Sequence, residues 1–402
     1  MAFDADGEAA AAPSRSLTLG ALGASWLSGV NCRAPLVATG ALLPLVMPAL
    51  HLSSVAASLL TALPLLVLAA LSLPGGLLAD RMGPRAALVI TQLIIAGGGA
   101  LRAIAPGPFS FFAAIAILGA GIGLAQPALV HAGRRISGRR ATVATAVYSN
   151  GLVLGGLLGS ALSAPLLLPL AHGSWRGAFL LWGILGVVAG VVWLFIPLNP
   201  SDPHRRPQTP PAGTGSPRIP GLGLLILVFC CQSAIFYGLV TWLPDFYVSV
   251  GWTLAAAAVP VSVLSAGSVL GVTVTPALVR RGGGFRGALI WTGLLDVMAL
   301  GALLLDPGLG YLSAAIVGAG TAIALTVGMA APAVLAEARA TGRVSGILLA
   351  IGYSVAILGP VGIGALRQLT GGFLAGFALL AALSVVWTLA SFGLPRWAAT
   401  GI

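Results

Sequence analysis

The sequence predicts an all-α membrane protein: twelve transmembrane helices in two six-helix bundles. Three observations carry that prediction. The 402 residues are 58% hydrophobic and only 7% charged, with a mean hydropathy of +1.03, whereas a water-soluble domain carries about 25% charged residues. The apolar residues fall into twelve runs long enough for the roughly 20 residues that a hydrocarbon core demands. A short polar segment divides those runs six and six, and the two sets echo one another.

Residues 1–16 (MAFDADGEAAAAPSRS) are small and polar, lack the basic-then-apolar pattern of a signal peptide, and read as a cytoplasmic tail. Spans follow near 17–47, 53–79, 86–105, 109–131, 141–168 and 177–197, giving a first bundle over 17–197. Residues 198–219 hold Asn199-Pro200, Asp202-Pro203, Arg205-Arg206 and Pro210-Pro211, too polar for lipid and too rich in Pro for a helix: a linker. The second set lies near 220–247, 253–279, 287–305, 309–335, 343–368 and 372–394, a second bundle over 220–394, and 395–402 form a second cytoplasmic tail. Kinks are expected at Pro35, Pro44, Pro48, Pro165 and Pro244.

The halves repeat at an offset of about 200. Ala41-Leu42-Leu43-Pro44 matches Thr241-Trp242-Leu243-Pro244, and Asp80-Arg81-Met82-Gly83 falls on Arg280-Arg281-Gly282-Gly283. Gly119-Ala120-Gly121 is echoed by Gly318-Ala319-Gly320, and Tyr148-Ser149 by Tyr353-Ser354. Parallel repeats place a site between the bundles, near the midplane.

All 20 basic residues are arginine, and the net charge is +11. They sit in short clusters between apolar runs, which is the pattern of cytoplasmic loops and not of a nucleic-acid surface. With the N-terminus inside, 16 of the 20 are cytoplasmic, and Arg33, Arg102, Arg176 and Arg367 remain. Both termini are therefore expected in the cytoplasm, with the chain in the inner membrane. Cys32, Cys230 and Cys231 lie in apolar segments and read as core residues; His51, His131, His172 and His204 show no ligand spacing. No metal and no cofactor are expected. The Gly-rich runs at 97–99, 119–123 and 155–156 lie inside apolar helices without a Walker lysine, so they read as helix-packing surfaces.

Between the second and third spans stands Gly76-Leu77-Leu78-Ala79-Asp80-Arg81-Met82-Gly83-Pro84-Arg85. It resembles, at every defined position, the major facilitator signature G-x-L-A-D-R-x-G-x-R/K. The glycines permit a tight turn and close helix approach, and Asp80 can pair with arginines or face a helix N-terminus. The resemblance implies a gating loop (Gly76, Asp80, Arg81, Gly83, Arg85) that latches the bundles in one conformation; the alternative is a structural turn. Ser174-Trp175-Arg176-Gly177-Ala178-Phe179 resembles a second superfamily element, with Arg176 capping neighbouring carbonyls. Within the superfamily the chain is similar to the cyanate and nitroimidazole transporter branch. That similarity rests on Asn31-Cys32-Arg33-Ala34-Pro35, Gly40–Pro44, Leu59–Pro64, Gly97–Arg102, Gly119–Gly123 and Trp242–Tyr247.

Arg33 lies inside the first span, where a cation costs several kcal/mol unless it faces a cavity or a partner. Its fixed charge and planar donor fork suit a carboxylate, cyanate or another small anion; the alternative is an arginine satisfied by carbonyls or a buried acid. Asn31 would orient Arg33 or substrate. Arg102 is either a second anion contact or a side chain snorkelling to the interface. Gln126, Tyr148, Ser149, Asn150, Gln232, Tyr237, Tyr353 and Ser354 supply the remaining polar groups, as substrate contacts or as interhelical hydrogen-bond partners. In the resembled fold the first, fourth, seventh and tenth helices line the cavity. Asp296 and Asp245 are the proton-coupling candidates, with Glu337 a third intramembrane acid; the ninth helix is peripheral in the resembled fold, so Asp296 reads equally as a buried neutral acid or a partner for a neighbouring donor.

The resulting expectation is a carrier, secondary active or facilitative, moving a small anion by alternating access, working as a monomer and coupled to H+ if coupled at all. Export of small aromatic drugs such as nitroimidazoles is the alternative. A membrane enzyme would need a paired acid/base or metal constellation, and none stands out. A transport-dead sensor would need a soluble signalling domain, for which the tails and linker are too short.

Overall fold

The computed structural model describes residues 15–137, 141–198, 220–281, 283–335 and 341–395. The expected linker, Glu337, and Arg139, Arg140, Arg205, Arg206, Arg218, Arg339 and Arg396 lie outside them, save for the linker's first residue. Among the described residues there is no strand. The first half contains α1 (Arg15–Ala41), α2 (Leu43–Ala49), α3 (Ser54–Met82), α4 (Pro84–Ile104), α5 (Pro108–Ser137), α6 (Ala141–Leu162), α7 (Leu168–Leu170) and α8 (Trp175–Phe195). The second contains α9 (Leu222–Ser249), α10 (Leu254–Arg281), α11 (Gly284–Leu305), α12 (Gly310–Leu335), α13 (Thr341–Ala356), α14 (Leu358–Thr370) and α15 (Leu374–Phe392). Eleven helices are long and apolar enough to cross a bilayer, and the α1–α2 pair, bent by 62°, makes the twelfth.

The breaks have local causes, and only some fall where the prolines suggested. The first span bends at Leu42, so that Pro44 enters the first turn of α2, where its missing N–H costs nothing. Pro165 sits in a π-helical turn, Ser163–Leu167, which widens the backbone around the ring. Pro35, Pro48 and Pro244 lie within continuous helices instead. The eleventh span breaks at Ile357, ahead of Pro360, a site absent from the expected kinks. Gly83 turns the chain between α3 and α4 at φ +80°, a region that a side chain disfavours. Ser53 and Ser174 cap α3 and α8, accepting from Ala56 N at 3.2 Å and Gly177 N at 3.3 Å.

The repeat seen in the sequence is a repeat of packing. In the first half α3 packs on α5, α4 on α5, and α4 on α8; in the second, α10 packs on α12, α11 on α12, and α11 on α15. Small residues make these approaches close: Gly151, Gly155 and Gly159 of α6, one turn apart, lie on the backbone of Trp26, Val30 and Ala34 in α1.

The two halves meet at the end of the molecule away from the 76–85 loop. There Gly40 of α1 abuts the Val240 carbonyl of α9, and Gly364 of α14 abuts Ser54 and Ser58 of α3. A β-carbon at either glycine would collide with backbone. Thr61 and Thr241 share a hydrogen bond at 2.8 Å between α3 and α9, and α6 packs on α10. At the other end, which carries Arg81, Arg85, Arg280, Arg281 and Arg286, α5 and α12 share no packed interface among the described residues. Among the described residues the halves thus meet at one face, while at the arginine-bearing one α5 and α12 do not pack on each other.

Candidate functional site

Arg33 is built into the α1–α6 seam. Its aliphatic stem passes Gly156, where a β-carbon would stand 3.6 Å from Arg33 Cγ. Its guanidinium reaches the other half, donating from Nη1 to the Tyr237 hydroxyl at 2.6 Å. It lies 5.4 Å from the Phe236 ring centroid and 5.0 Å from that of Tyr237, a cation–π geometry worth about 2 kcal/mol when desolvated. Tyr148 of α6 and Tyr353 of α13 pack around the same cluster and lie within electrostatic reach of one another and of this centre. Tyr353 meets the edge of Phe229 with centroids 6.4 Å apart. Arg33 has no acid partner among the described residues, and it is only partly buried. The result is a cation flanked by aromatic rings from both halves and left partly exposed.

Four of the expected residues therefore converge: Arg33, Tyr148, Tyr237 and Tyr353. Others do not join them. Asn31 is fully buried and donates to Gln92 Oε1 at 2.7 Å, because two residues along a helix is a 200° rotation away from Arg33. Asn150 is exposed and accepts from Trp26 Nε1 at 3.0 Å, tying α6 to α1. Gln232 is buried and donates to Ser233 at 2.7 Å. Gln126 is half-buried on α5, and Ser354 is exposed on α13.

Arg102 corrects both readings offered for it. It neither snorkels nor opens to the central space: it is wholly buried. Its Nη1 donates to the Pro35 carbonyl at 3.0 Å and to Thr39 Oγ1 at 2.9 Å, and the guanidinium lies 4.3 Å from the Phe179 ring. It is a strut between α4 and the proline-bearing stretch of α1. Arg176, as expected, caps carbonyls, donating to Ala103 at 3.1 Å and Ala105 at 2.6 Å at the end of α4.

The signature loop is likewise local. Asp80 pairs with His131 Nδ1 of α5 at 3.3 Å, in place of the arginine expected. Arg85 donates to the terminal carbonyls of α8, at Trp193 (3.2 Å) and Leu194. Arg81 is exposed, and Gly76 sits half-buried beside Pro127. These contacts stay inside the first half. Asp245 is paired with Arg367 of α14, whose guanidinium also covers the Trp242 and Phe373 rings at 5.1 and 4.4 Å. The pairing offsets the cost of burying that carboxylate.

Sequence reading missed Gln92, Phe236 and Arg367. An inventory of every amide inside an apolar run would have found Gln92; the other two matter only through partners remote in sequence.

The family model described as Major Facilitator Superfamily matches residues 21–360. The chain is 28% identical to the cyanate transport protein of Escherichia coli K12 over 355 residues, covering 88% of this chain and 91% of that one. It is 27% identical to the 2-nitroimidazole transporter of the same organism over 360 residues, 87% and 90% of the two chains. To the gentisate transporter of Corynebacterium glutamicum it is 26% identical over 298 residues, 71% of this chain and 67% of that one. Among solved structures, a bacterial homolog of the human lysosomal transporter Spinster, inward-facing and unoccupied, superposes with a TM-score of 0.77 at 17% identity, covering 97% of this chain and all of that one.

Proposed function

The chain belongs to the Major Facilitator Superfamily, and on that premise we propose that it carries a small planar organic anion across the inner membrane by alternating access, with Arg33 as the anchor. The observation that carries this reading is the guanidinium of Arg33, without an acid partner among the described residues, set among Tyr148, Phe236, Tyr237 and Tyr353. A delocalised cation with a donor fork accepts a carboxylate or cyanate, and the rings around it accept a flat body. Relatives named for cyanate, 2-nitroimidazole and gentisate fit such a box: an anion, a flat ring, and a ring bearing a carboxylate.

The positive-inside bias makes the arginine-bearing face cytoplasmic, with both termini on that side and a linker joining two six-helix bundles. The arrangement is then the inward-facing one. Thr61–Thr241, Gly40 and Gly364 seal the outer side, and rocking of the halves about Arg33 would open it while the 76–85 loop closes on the second half. The monomer holds the whole site.

A second reading, export of neutral flat aromatics, draws on the same rings. Thermal unfolding of the purified full chain with cyanate, gentisate and 2-nitroimidazole separates the two, with Arg33→Ala in parallel. A ligand at 100 times its Kd stabilises by about 2.7 kcal/mol. Stabilisation by an anion in wild type and not in Arg33→Ala supports the anion carrier. Equal stabilisation of both proteins by 2-nitroimidazole alone overturns it in favour of aromatic export.

A further inference from the structure

Away from Arg33, the second half holds a chamber of about 430 Å³ at the face where the halves meet, within the roughly 300–1,000 Å³ of small-molecule sites. Its wall is three phenyl rings in mutual contact. Phe246 of α9 stands 5.7 Å from Phe373 and 5.0 Å from Phe377 between centroids, and the last two are 5.9 Å apart. Leu304, near the end of α11, extends the apolar wall, and the exposed Ser249, ending α9, stands at the mouth. Among the described residues Arg367 is the chamber's one charged group. It sits in the last turn of α14 with its guanidinium 4.4 Å from the Phe373 ring. Nη1 is engaged by the Asp245 carboxylate and by Met47 Sδ at 3.8 Å. Nε and Nη2 have no hydrogen-bond acceptor among the described residues, and the side chain keeps 19% of its surface. Other acids nearby do not use those donors. Asp306 accepts from Gly308 N at 2.7 Å. Asp296, two turns deeper than Leu304 on α11, is wholly buried without a hydrogen-bond partner and does not reach the chamber.

A guanidinium with an idle edge, backed by one ring and facing others, suits a flat body that ends in a carboxylate. The fork takes the two oxygens and the phenyl wall takes the body. A small inorganic anion leaves the wall unused, and a neutral ring leaves the donors unmet. We propose that this chamber is a second site for aromatic carboxylates, on the outer side and distinct from the one at Arg33. Arg33 lies nine residues, about 13 Å of helix, before the bend of the first span at Leu42. Arg367 touches Met47, beyond that bend. Gly364, one turn before Arg367, abuts Ser54 and Ser58 of α3. An anion in the chamber is thus held against the contact between the halves, where solute waits while that contact is closed. Asp245 keeps the arginine from being stranded when the chamber is empty. The proposal takes only its sidedness from the positive-inside bias and needs no solute at Arg33.

The test follows one cysteine at the mouth. Cys32, Cys230 and Cys231 are replaced and Ser249→Cys is introduced in the full chain, in phosphatidylcholine liposomes. The rate of modification by a membrane-impermeant maleimide is measured with and without gentisate, and normalised to denatured protein. Gentisate at ten times its Kd should slow modification about tenfold, and its neutral amide should not. Arg33→Ala runs in parallel and should be protected equally. In Asp245→Asn/Arg367→Met, which removes both charges together, the protection should vanish. No protection, equal protection by the amide, protection lost in Arg33→Ala, or protection that survives the double variant overturns the proposal. Protection supplied by phosphatidylglycerol in the vesicles and none by gentisate assigns the chamber to a lipid headgroup and likewise overturns it. If the double variant does not fold, Leu304→Trp fills the chamber and leaves the ion pair in place: lost protection supports the site, and retained protection overturns it. Should anions fail to stabilise the protein through Arg33 while Ser249→Cys is still protected, the Arg33 reading falls and this site stands.

Discussion

The guanidinium of Arg33 on α1 is held by the hydroxyl of Tyr237 on α9, 204 residues away, at 2.6 Å. The anchor of one half is thus oriented by the other. A hydrogen bond to a charged group contributes about 1.5–3 kcal/mol. Tyr237→Phe keeps the ring under the cation and removes the acceptor. It should weaken anion binding about tenfold with little change in Tm, measured by titration calorimetry on the purified protein.

Arg102 should behave oppositely. Its contacts to Pro35 O, Thr39 and Phe179 are all internal. Arg102→Ala leaves a cavity and an uncapped carbonyl, a class of change costing about 2–4 kcal/mol. The apparent Tm should fall by several degrees, while the Kd of whatever anion Arg33 binds stays within about threefold. A large loss of affinity at unchanged Tm would return Arg102 to the binding site.

The Asp245–Arg367 pair is partly buried, so removing one charge strands the other. Arg367→Met alone should destabilise by about 2 kcal/mol. Adding Asp245→Asn should recover most of that loss, giving a coupling energy in a double-mutant cycle that exceeds a surface pair's roughly 0.5 kcal/mol.

Thr61 and Thr241 hold the sealed face together across 2.8 Å. With the native cysteines removed, Thr61→Cys paired with Thr241→Cys should cross-link under mild oxidant and stop solute flux, and reductant should restore it. Either single cysteine should leave flux intact. Flux that continues in the cross-linked protein would mean that this face need not open.

The twelve spans were legible in the sequence because length and hydropathy alone decide whether a segment crosses a bilayer. The repeat was legible because both halves solve the same packing problem with similar small residues, Gly119-Ala120-Gly121 and Gly318-Ala319-Gly320 among them. Arg33 stood out because a cation amid apolar residues is costly wherever it points. What it touches was not legible. A helix apolar on every side has no face that hydropathy can assign to a partner, so nothing in Asn31-Cys32-Arg33 says that Asn31 turns to Gln92 and Arg33 to Tyr237. The same blindness hid Arg102's place beneath Pro35 and Arg367's pairing with Asp245, residues 122 positions apart in the chain. Burial cost, a local property, was in the sequence. The partner that offsets it is set by the packing of distant helices, and only the tertiary structure decided that.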